Sequence, residues 1–311
     1  MAGSVRATDA DGYRSLLFSI AYGMTGSVGD AEDIVQDAFL NLTRVRQAGT
    51  AVGNLKAYLT TSVTRLGINY LSSARVRRET YVGDWLPEPV VVCADRPGPA
   101  EHAELSDSLS MAFLVLLEAL SPVERAVFVL REVFGYGYPE VARLTGKSEA
   151  NCRQIFARAR KRVAAGGRAA DLAPPPPVRR AESEELARKF FEAAEGGDMD
   201  ALLGMLAPDV VFQGDGGGKA RALARSVTEP RHVAQLLVGG FRRVRILGAS
   251  MRAAWINGRP GAVTYDSEGR VASVVELDIA DGVIRAIHSV SNPDKLGHLG
   301  PLSDIALLPK R

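Results

Sequence analysis

Cysteine is nearly absent: the 311 residues hold two, Cys93 and Cys152. They stand far apart and Cys152 falls on a predicted core stripe, so a disulfide framework is excluded and a reducing compartment is expected. Long apolar runs are missing as well. The most apolar segment, MAFLVLLEAL, is interrupted by Glu118 and is too short to cross a bilayer. The N-terminus lacks a signal-peptide pattern. Together these features lead us to expect a cytoplasmic protein without a membrane partner. Neither sign of charge dominates, because 38 Lys and Arg against 36 Asp and Glu leave a net charge of +2. His, Cys, Asp and Glu nowhere cluster at metal-ligand spacing, no cofactor is implied, and no internal repeat is found. At 46% hydrophobic and 24% charged residues the chain is of ordinary globular composition. Its length suits two or three domains, each with its own core.

Near-neutrality hides segregation. Arg65, Arg75, Arg77 and Arg78 cluster without an acid among them, whereas Glu101, Glu104, Asp107 and Glu118 follow one another with no Lys or Arg between. Two stretches break the helical patterning. AAGGRAADLAPPPPVRRAES, 164–183, holds a proline run that cannot continue a helix and favours an extended spacer. YVGDWLPEPVVVCADRPGP, 81–99, is similarly rich in Pro and Gly. The expected organisation is therefore a helical unit over 1–80, a linker over 81–99, a second helical unit over 100–165, a Pro-rich linker over 166–180, and a third unit over 181–311.

The stretch SEANCRQIFARARKRV, 148–163, carries Cys152, Ile155, Phe156, Ala159 and Val163 at the spacing of one buried helix stripe. Arg153, Arg158, Arg160, Lys161 and Arg162 therefore cannot all be core, and Asn151, Arg153, Gln154, Arg158 and Lys161 project away from the stripe. Upstream, Ser121 with Pro122 begins one helix, PEVARL forms a short one, Thr145-Gly146-Lys147 turns the chain, and Ser148 caps the basic helix. This is the spacing of a helix-turn-helix unit, whose second helix enters the major groove. Arg there pairs with guanine, Gln or Asn with adenine, and the basic end meets phosphate.

In the first unit, Ala31, Ile34, Val35, Ala38, Leu42 and Val45 mark a long amphipathic helix. Asp30, Glu32 and Asp33 crowd its first turn, where negative charge favours the dipole. Asp33, Gln36 and Asp37 leave an acidic, polar face that suits a protein partner better than DNA. NLKAYLTTSVTRLGINYLSSARVRR, 54–78, then runs into the clustered arginines. An acidic docking helix beside basic ones suggests a molecule bridging a protein machine and nucleic acid.

DAEDIVQDAFL with NLKAYLTTSVTRLGINYLSSARVRR resembles region 2 of the extracytoplasmic-function sigma factors. SPVERAVFVLREVFGYGYPEVARLTGKSEANCRQIFARARKRV resembles their region 4, in the family's order and spacing. The resemblance implies that Asp33, Gln36 and Asp37 dock on the clamp helices of the RNA polymerase β′ subunit. It implies that Arg65, Asn69, Arg75 and Arg77 read and help melt the −10 element, and that the basic helix, through Asn151, Arg153, Gln154, Arg158 and Lys161, reads the −35 element of promoter DNA. The loop over about 47–54 would capture a flipped base. Asn69 stands where many relatives carry Asp, and Asp37 where many carry Glu.

The third unit begins with helical patterns at Ser183–Ala194, Met199–Leu206 and near Pro230–Gly239. It continues with alternating segments near 245–256, 259–266, 270–280 and 283–291. Asn257-Gly258 and Asp281-Gly282 sit at two hairpin tips, so an antiparallel meander with helices over one face is expected. This α+β pattern resembles the SnoaL-like branch of the NTF2-like cone fold, which a subgroup of the same sigma factors carries as an extension. WLPEP at 85–89, DGGGK at 215–219 and NPDKL at 292–296 match that subgroup.

Trp85, Leu86, Pro87 and Pro89 are too apolar for a simple tether. Asp215, Lys219, Asp294 and Lys295 are expected to supply the contacts on which they dock. Deletion after about Gly297 is expected to perturb transcription mildly, and cutting within 219–296 to change it strongly. Asp215, Lys219, His288 and Trp255 are the candidates for a pocket, with His288 in phase with Ile284, Ala286 and Val290. A lone inward His is more commonly a core residue than a catalytic one, so the sequence favours binding of an unidentified small ligand over catalysis. Two functions stay open: a promoter-specificity subunit, monomeric when free and regulated in cis by its third domain, or a SnoaL-like enzyme or sensor fused to a helix-turn-helix regulator.

Overall fold

A computed structural model of the chain describes residues 8–79, 81–92, 109–166, 177–223 and 225–307, with the side chains of 8–9, 74–79, 166 and 177–179 outside that description. The described residues fall into two compact units, one of 8–79 with 116–166, the other of 81–92, 109–115, 177–223 and 225–307. The two helical segments expected as separate domains thus share one unit. The linker over 81–92 belongs to the other.

In the helical unit, α1 (Thr8–Asp11), α2 (Arg14–Thr25), α3 (Val28–Gln47) and α4 (Leu55–Glu79) come first. Leu17, Ile20 and Met24 of α2, Ala31, Val35, Ala38 and Leu42 of α3, and Leu59 and Val63 of α4 are buried together at helical spacing. Ser27 fixes the start of α3 by accepting from the Asp30 amide at 3.1 Å. After α5 (Met111–Leu117) come α6 (Pro122–Phe128), a π-helical turn (Val129–Val133), α7 (Tyr138–Thr145) and α8 (Glu149–Gly166). Ser121 and Glu124 close a capping box at the start of α6 with Pro122 at its first position. The buried Arg125 joins the two segments, its Nε donating to the Gly23 carbonyl at 3.1 Å while its guanidinium pairs with Glu118.

The second unit is a six-stranded sheet of β1 (Val91–Val92), β2 (Leu206–Asp215), β3 (Ser250–Ile256), β4 (Arg259–Tyr265), β5 (Val271–Ala280) and β6 (Val283–Val290), in the order β1-β3-β4-β5-β6-β2. The expected meander is present, and Asn257 and Asp281 take the positive φ of 49° and 52° that their tight turns need. Two strands are additions to the expectation. β2 pairs parallel with β6; its first half includes Pro208 and Asp209, poor strand formers, and its partner lies too far along the chain to give a hairpin signal. β1 comes from the linker itself. α9 (Pro177–Gly196), α10 (Met199–Met205) and α11 (Pro230–Ile246) cover one face over a core including Phe190, Leu202, Val233, Leu237, Leu277 and Ile287. α11 runs through the start of the strand expected from 245, because Val233, Ala234 and Leu237 fix it on that core.

The opposite face, carrying Ala254, Ile256, Val263, Val274 and Val290, packs with Leu86, Met111 and Leu296. One expectation changes here. A bulge between Asp278 and Ile279 resets the side-chain phase. Ile284 therefore joins Ile287 in the helix-covered core, while His288 shares the other face with Val290. The tail after Gly297 is tied to the domain, while the expected effect of its deletion concerns transcription. Val271 donates to the Pro301 carbonyl, Ser303 to that of Val271, and Arg221 to that of Ala306, each at 2.8 Å, and Leu299 and Leu302 pack on the Leu86 side.

Candidate nucleic-acid interface and linker clasp

On α3, Asp33, Gln36 and Asp37 are exposed, while the neighbouring Asp30 is held by the Tyr70 hydroxyl of α4. Leu40, 45% exposed, continues the same face at i+7 from Asp33. Sequence reasoning passed over it, although a large apolar residue out of phase with the buried stripe was the signal. On α4, Arg65 and Asn69 are exposed and line a groove of about 660 Å3, with Asn41 and Asn54 beside them and Tyr136, Glu140 and Arg143 closing it from α7 and the turn before it. Asn54, the last residue of the expected base-capturing loop, also caps α4 by accepting from the Ala57 amide at 2.9 Å. Arg75 and Arg77 lie within α4, but their side chains are outside the described residues.

On α8 the apolar stripe is as expected: Cys152, Ile155, Ala159 and Val163 are buried, and Phe156 stacks on Phe128. Ser148 accepts from the Asn151 amide at 3.3 Å, fixing the helix start. Asn151, Gln154, Arg160 and Lys161 face solvent. Arg153 is exposed too, yet pairs with Glu149 at 3.4 Å and lies over the Tyr138 ring. Arg158 and Arg162 approach Glu124 at 3.9 and 2.5 Å. Burial alone would raise the Glu124 pKa, but the Ser121 amide and hydroxyl and then the two guanidiniums hold it below the usual range. The polar and basic face of α8 is thus exposed, with Arg158 partly committed within the protein.

WLPEP, DGGGK and NPDKL meet in the second unit. Asp215, fully buried at the end of β2, accepts from the Tyr81 hydroxyl at 2.5 Å, the Leu86 amide at 2.9 Å, the Gly217 amide at 3.0 Å and Lys295 Nζ at 2.6 Å. Lys295, 7% exposed, also donates to the Leu86 carbonyl and sits over the rings of Tyr81 and Trp85, at 4.8 and 4.2 Å. The side-chain amide of Asn292 donates to the Tyr81 hydroxyl at 2.7 Å. Burial, and then the hydrogen bond to Asp215, push the Tyr81 pKa well above its ordinary value. Close approach explains the glycines: a Cβ on Gly217, at φ 58°, would stand 2.3 Å from the Asn292 side chain, and one on Gly216 2.3 Å from the Ala220 carbonyl oxygen. Further along, Val90 and Asn257 exchange hydrogen bonds, and His298 contacts the Pro89 carbonyl at 2.8 Å. Lys219 and Asp294, expected in the same role, instead pair with each other at 2.6 Å in solvent. Tyr81 and Asn292 are members that sequence reasoning missed.

The four pocket candidates separate. Trp255 lines a groove on the helix-covered side of the sheet, and Asp215, Lys219 and His288 do not. His288 is 2% exposed on the other face, its Nδ1 2.6 Å from the buried Glu276. Desolvation pushes the imidazole pKa down, but the Glu276 charge and hydrogen bond outweigh it, so the net shift is upward. Among the described residues no helix is long and apolar enough to cross a membrane, and no His, Cys, Asp and Glu group suits a metal ion.

Two family models match the chain, Sigma-70 region 2 over residues 10–77 and Sigma-70 region 4 over 110–163. The ECF RNA polymerase sigma factor SigJ of Mycobacterium tuberculosis is 36% identical over 94% of this chain and 93% of its own length. The probable ECF RNA polymerase sigma factor SigI of the same organism is 31% identical over 92% and 93%. The crystal structure of the M. tuberculosis SigJ protein superposes with a TM-score of 0.75 at 34% identity, covering 96% of this chain and all of that one.

Proposed function

Starting from the fact that the chain belongs to the extracytoplasmic-function sigma factor family, we propose a division of labour among its surfaces. α3 docks on core RNA polymerase through Asp33, Gln36 and Asp37, with Leu40 as the apolar centre of that contact. α4 and the loop before it engage the −10 element through Arg65, Asn69, Arg75 and Arg77. α8 reads the −35 element through Asn151, Arg153, Gln154, Arg158 and Lys161, with Arg160 on phosphate. The place of action is the cytoplasm, where core polymerase and promoter DNA meet.

The α+β domain modulates this activity in cis. The observation that carries this reading is the burial of the Asp215–Lys295 pair against the segment connecting the two sigma regions. An ion pair built from two motifs, to which the third adds the Leu86 amide and carbonyl, favours one conformation of that connection, because releasing the linker would take those hydrogen bonds from two buried charges. The acid and base candidates lie away from the groove, Asp215 in the clasp, His288 against Glu276 and Lys219 paired with Asp294 in solvent, which supports regulation over catalysis.

The test is reconstituted run-off transcription with core polymerase and a promoter library, comparing the full chain with its Lys295→Met variant. Specific transcripts from the full chain, altered in yield or in promoter preference by the variant, support both parts. Specific transcripts identical in the two proteins would reject control through the clasp, and absence of any core-dependent transcript would reject the assignment of surfaces.

A further inference from the structure

The groove that Trp255 lines has a volume of about 800 Å3 and runs between α9, the end of α11, and strands β3 and β4. That is within the range of sites for drug-sized molecules. Its walls are Phe191, Phe241, Val244, Met251, Ala253 and Trp255. Its charged lining residues, Glu184, Arg188, Glu192, Glu195 and Arg245, are all exposed, so they form a rim and not a floor. Arg188 is already committed to Glu185 at 2.8 Å and Glu192 at 2.5 Å. Among the described residues, no buried side-chain N or O atom without a partner lines the groove. An ion entering it would lose water and find no buried counter-charge. An uncharged ring system loses little on entry and gains contact with Trp255, which Arg180 holds from a position 3.9 Å from the ring centroid. The groove also has a wall from outside the helix and sheet scaffold: Val92 of β1 lines it and pairs in register with Trp255.

We propose that this groove binds an uncharged aromatic or alicyclic small molecule, and that the bound molecule packs on Val92 and holds β1, with the linker that carries it, on the edge of β3. The second half rests on the reading that the α+β domain acts in cis; the first does not. Selection follows from the rim and floor, and coupling follows from β1, the one short strand that is at once sheet edge and linker.

The test uses the full-length protein and two dyes of one skeleton, uncharged N-phenyl-1-naphthylamine and its anionic counterpart 8-anilino-1-naphthalenesulfonate. The uncharged dye should bind saturably at one site and about tenfold or more tighter than the sulfonate, the factor expected from about 1.4 kcal/mol of uncompensated desolvation. Ala253→Trp, at an exposed position on the groove wall, should weaken it by a similar factor with the circular dichroism spectrum unchanged. If that variant misfolds, Ser250→Trp serves in its place. Bound dye should slow amide exchange at Val91 and Val92. Equal or tighter sulfonate binding, or indifference to the filling substitutions, overturns the site. Unchanged exchange at Val91 and Val92 with dye bound overturns the coupling. Loss of cis control in transcription with intact dye binding counts against the cis reading alone. Absent dye binding, with transcription still sensitive to Lys295→Met, counts against the groove alone.

Discussion

The clasp and the basic helix α8 use charge in opposite ways. Asp215 and Lys295 are buried, and each is surrounded by partners supplied from other motifs. On α8, Arg160 and Lys161 face solvent, and the charges that do pair, Arg153, Arg158 and Arg162, remain more than half exposed. Buried charges that satisfy one another fix a conformation and have nothing left for a partner. Exposed ones contribute little to stability and remain available to phosphates and bases. The contrast separates residues that hold the protein in shape from residues that address something outside it.

The sharpest way to break the contrast is at Lys295. Lys295→Met keeps length and apolar volume but strands the Asp215 carboxylate, and it should cost about 3–5 kcal/mol of stability in denaturant unfolding. Amide exchange at Leu86 and Val90 should accelerate with it. Adding Asp215→Leu should recover much of the loss, because the uncompensated charge is then gone. A double variant no more stable than the single would mean that packing, not charge, sets the cost.

On α8 the same kind of residue should give a different result. Gln154→Ala should remove about 1–3 kcal/mol of discrimination at one base pair of the −35 element, whereas Arg160→Ala or Lys161→Ala should weaken binding evenly across sequences and flatten the salt slope by about 1 each. Arg158→Ala should flatten it less, since part of that charge is already balanced by Glu124. None should move the unfolding midpoint appreciably. Binding isotherms at several salt concentrations, on matched and mismatched promoter fragments, read all of these, and a shared sequence-independent loss for Gln154→Ala would make α8 a mere solvated face.

The acidic helix sits on the exposed side of the comparison as well. Asp33→Ala with Gln36→Ala should weaken association with core polymerase by about 1–2 kcal/mol while leaving stability within about 0.5 kcal/mol. Leu40→Ser should add to the loss if that residue centres the contact. Core affinity unchanged in a folded triple variant would move the docking surface elsewhere.

What was legible in the sequence divides along the same line. The stripes of α3 and α8, with their exposed polar faces, follow from spacing alone, since a helix puts i, i+3 and i+4 on one side whatever surrounds it. The hairpin tips were legible because Asn-Gly and Asp-Gly tolerate positive φ. β1 and β2 were not, because their partners are distant in sequence and nothing local announces them. The bulge that takes Ile284 out of phase with His288 was equally hidden. Of the clasp, the motifs were visible but their assignment was not. DGGGK and NPDKL each offer one Asp and one Lys, and only the fold decides that Asp215 and Lys295 go inside. The approach of Arg158 to Glu124 was hidden as well, because Glu124 stands on another helix.

The Glu276–His288 pair is a buried contact that ties stability to pH. Its imidazole pKa is raised on folding, so its contribution is fully present below the unfolded value of about 6.5. It is lost as pH rises through the folded value, with a slope of at most about 1.4 kcal/mol per pH unit. Denaturant unfolding followed from pH 6 upward should show the second unit weakening in that window, and His288→Gln should remove the dependence. A slope of opposite sign would mean that burial, not Glu276, controls the group.

The smallest effect is expected where the comparison is closest. Lys219 and Asp294 belong to the same two motifs as Asp215 and Lys295 and make a contact as short, 2.6 Å in both cases. Their side chains are 56% and 62% exposed, against 0% for Asp215 and 8% for Lys295. Water therefore competes for both partners, and ordering two mobile side chains offsets most of the attraction, so Lys219→Ala should cost no more than about 1 kcal/mol. The cost should shrink further as salt is raised. Motif membership and distance are the same for the two lysines, so the difference between Lys219→Ala and Lys295→Met isolates burial as the variable. A Lys219→Ala loss comparable to that of Lys295→Met would mean that the exposed pair is shielded from water in solution, and burial would no longer separate the two lysines.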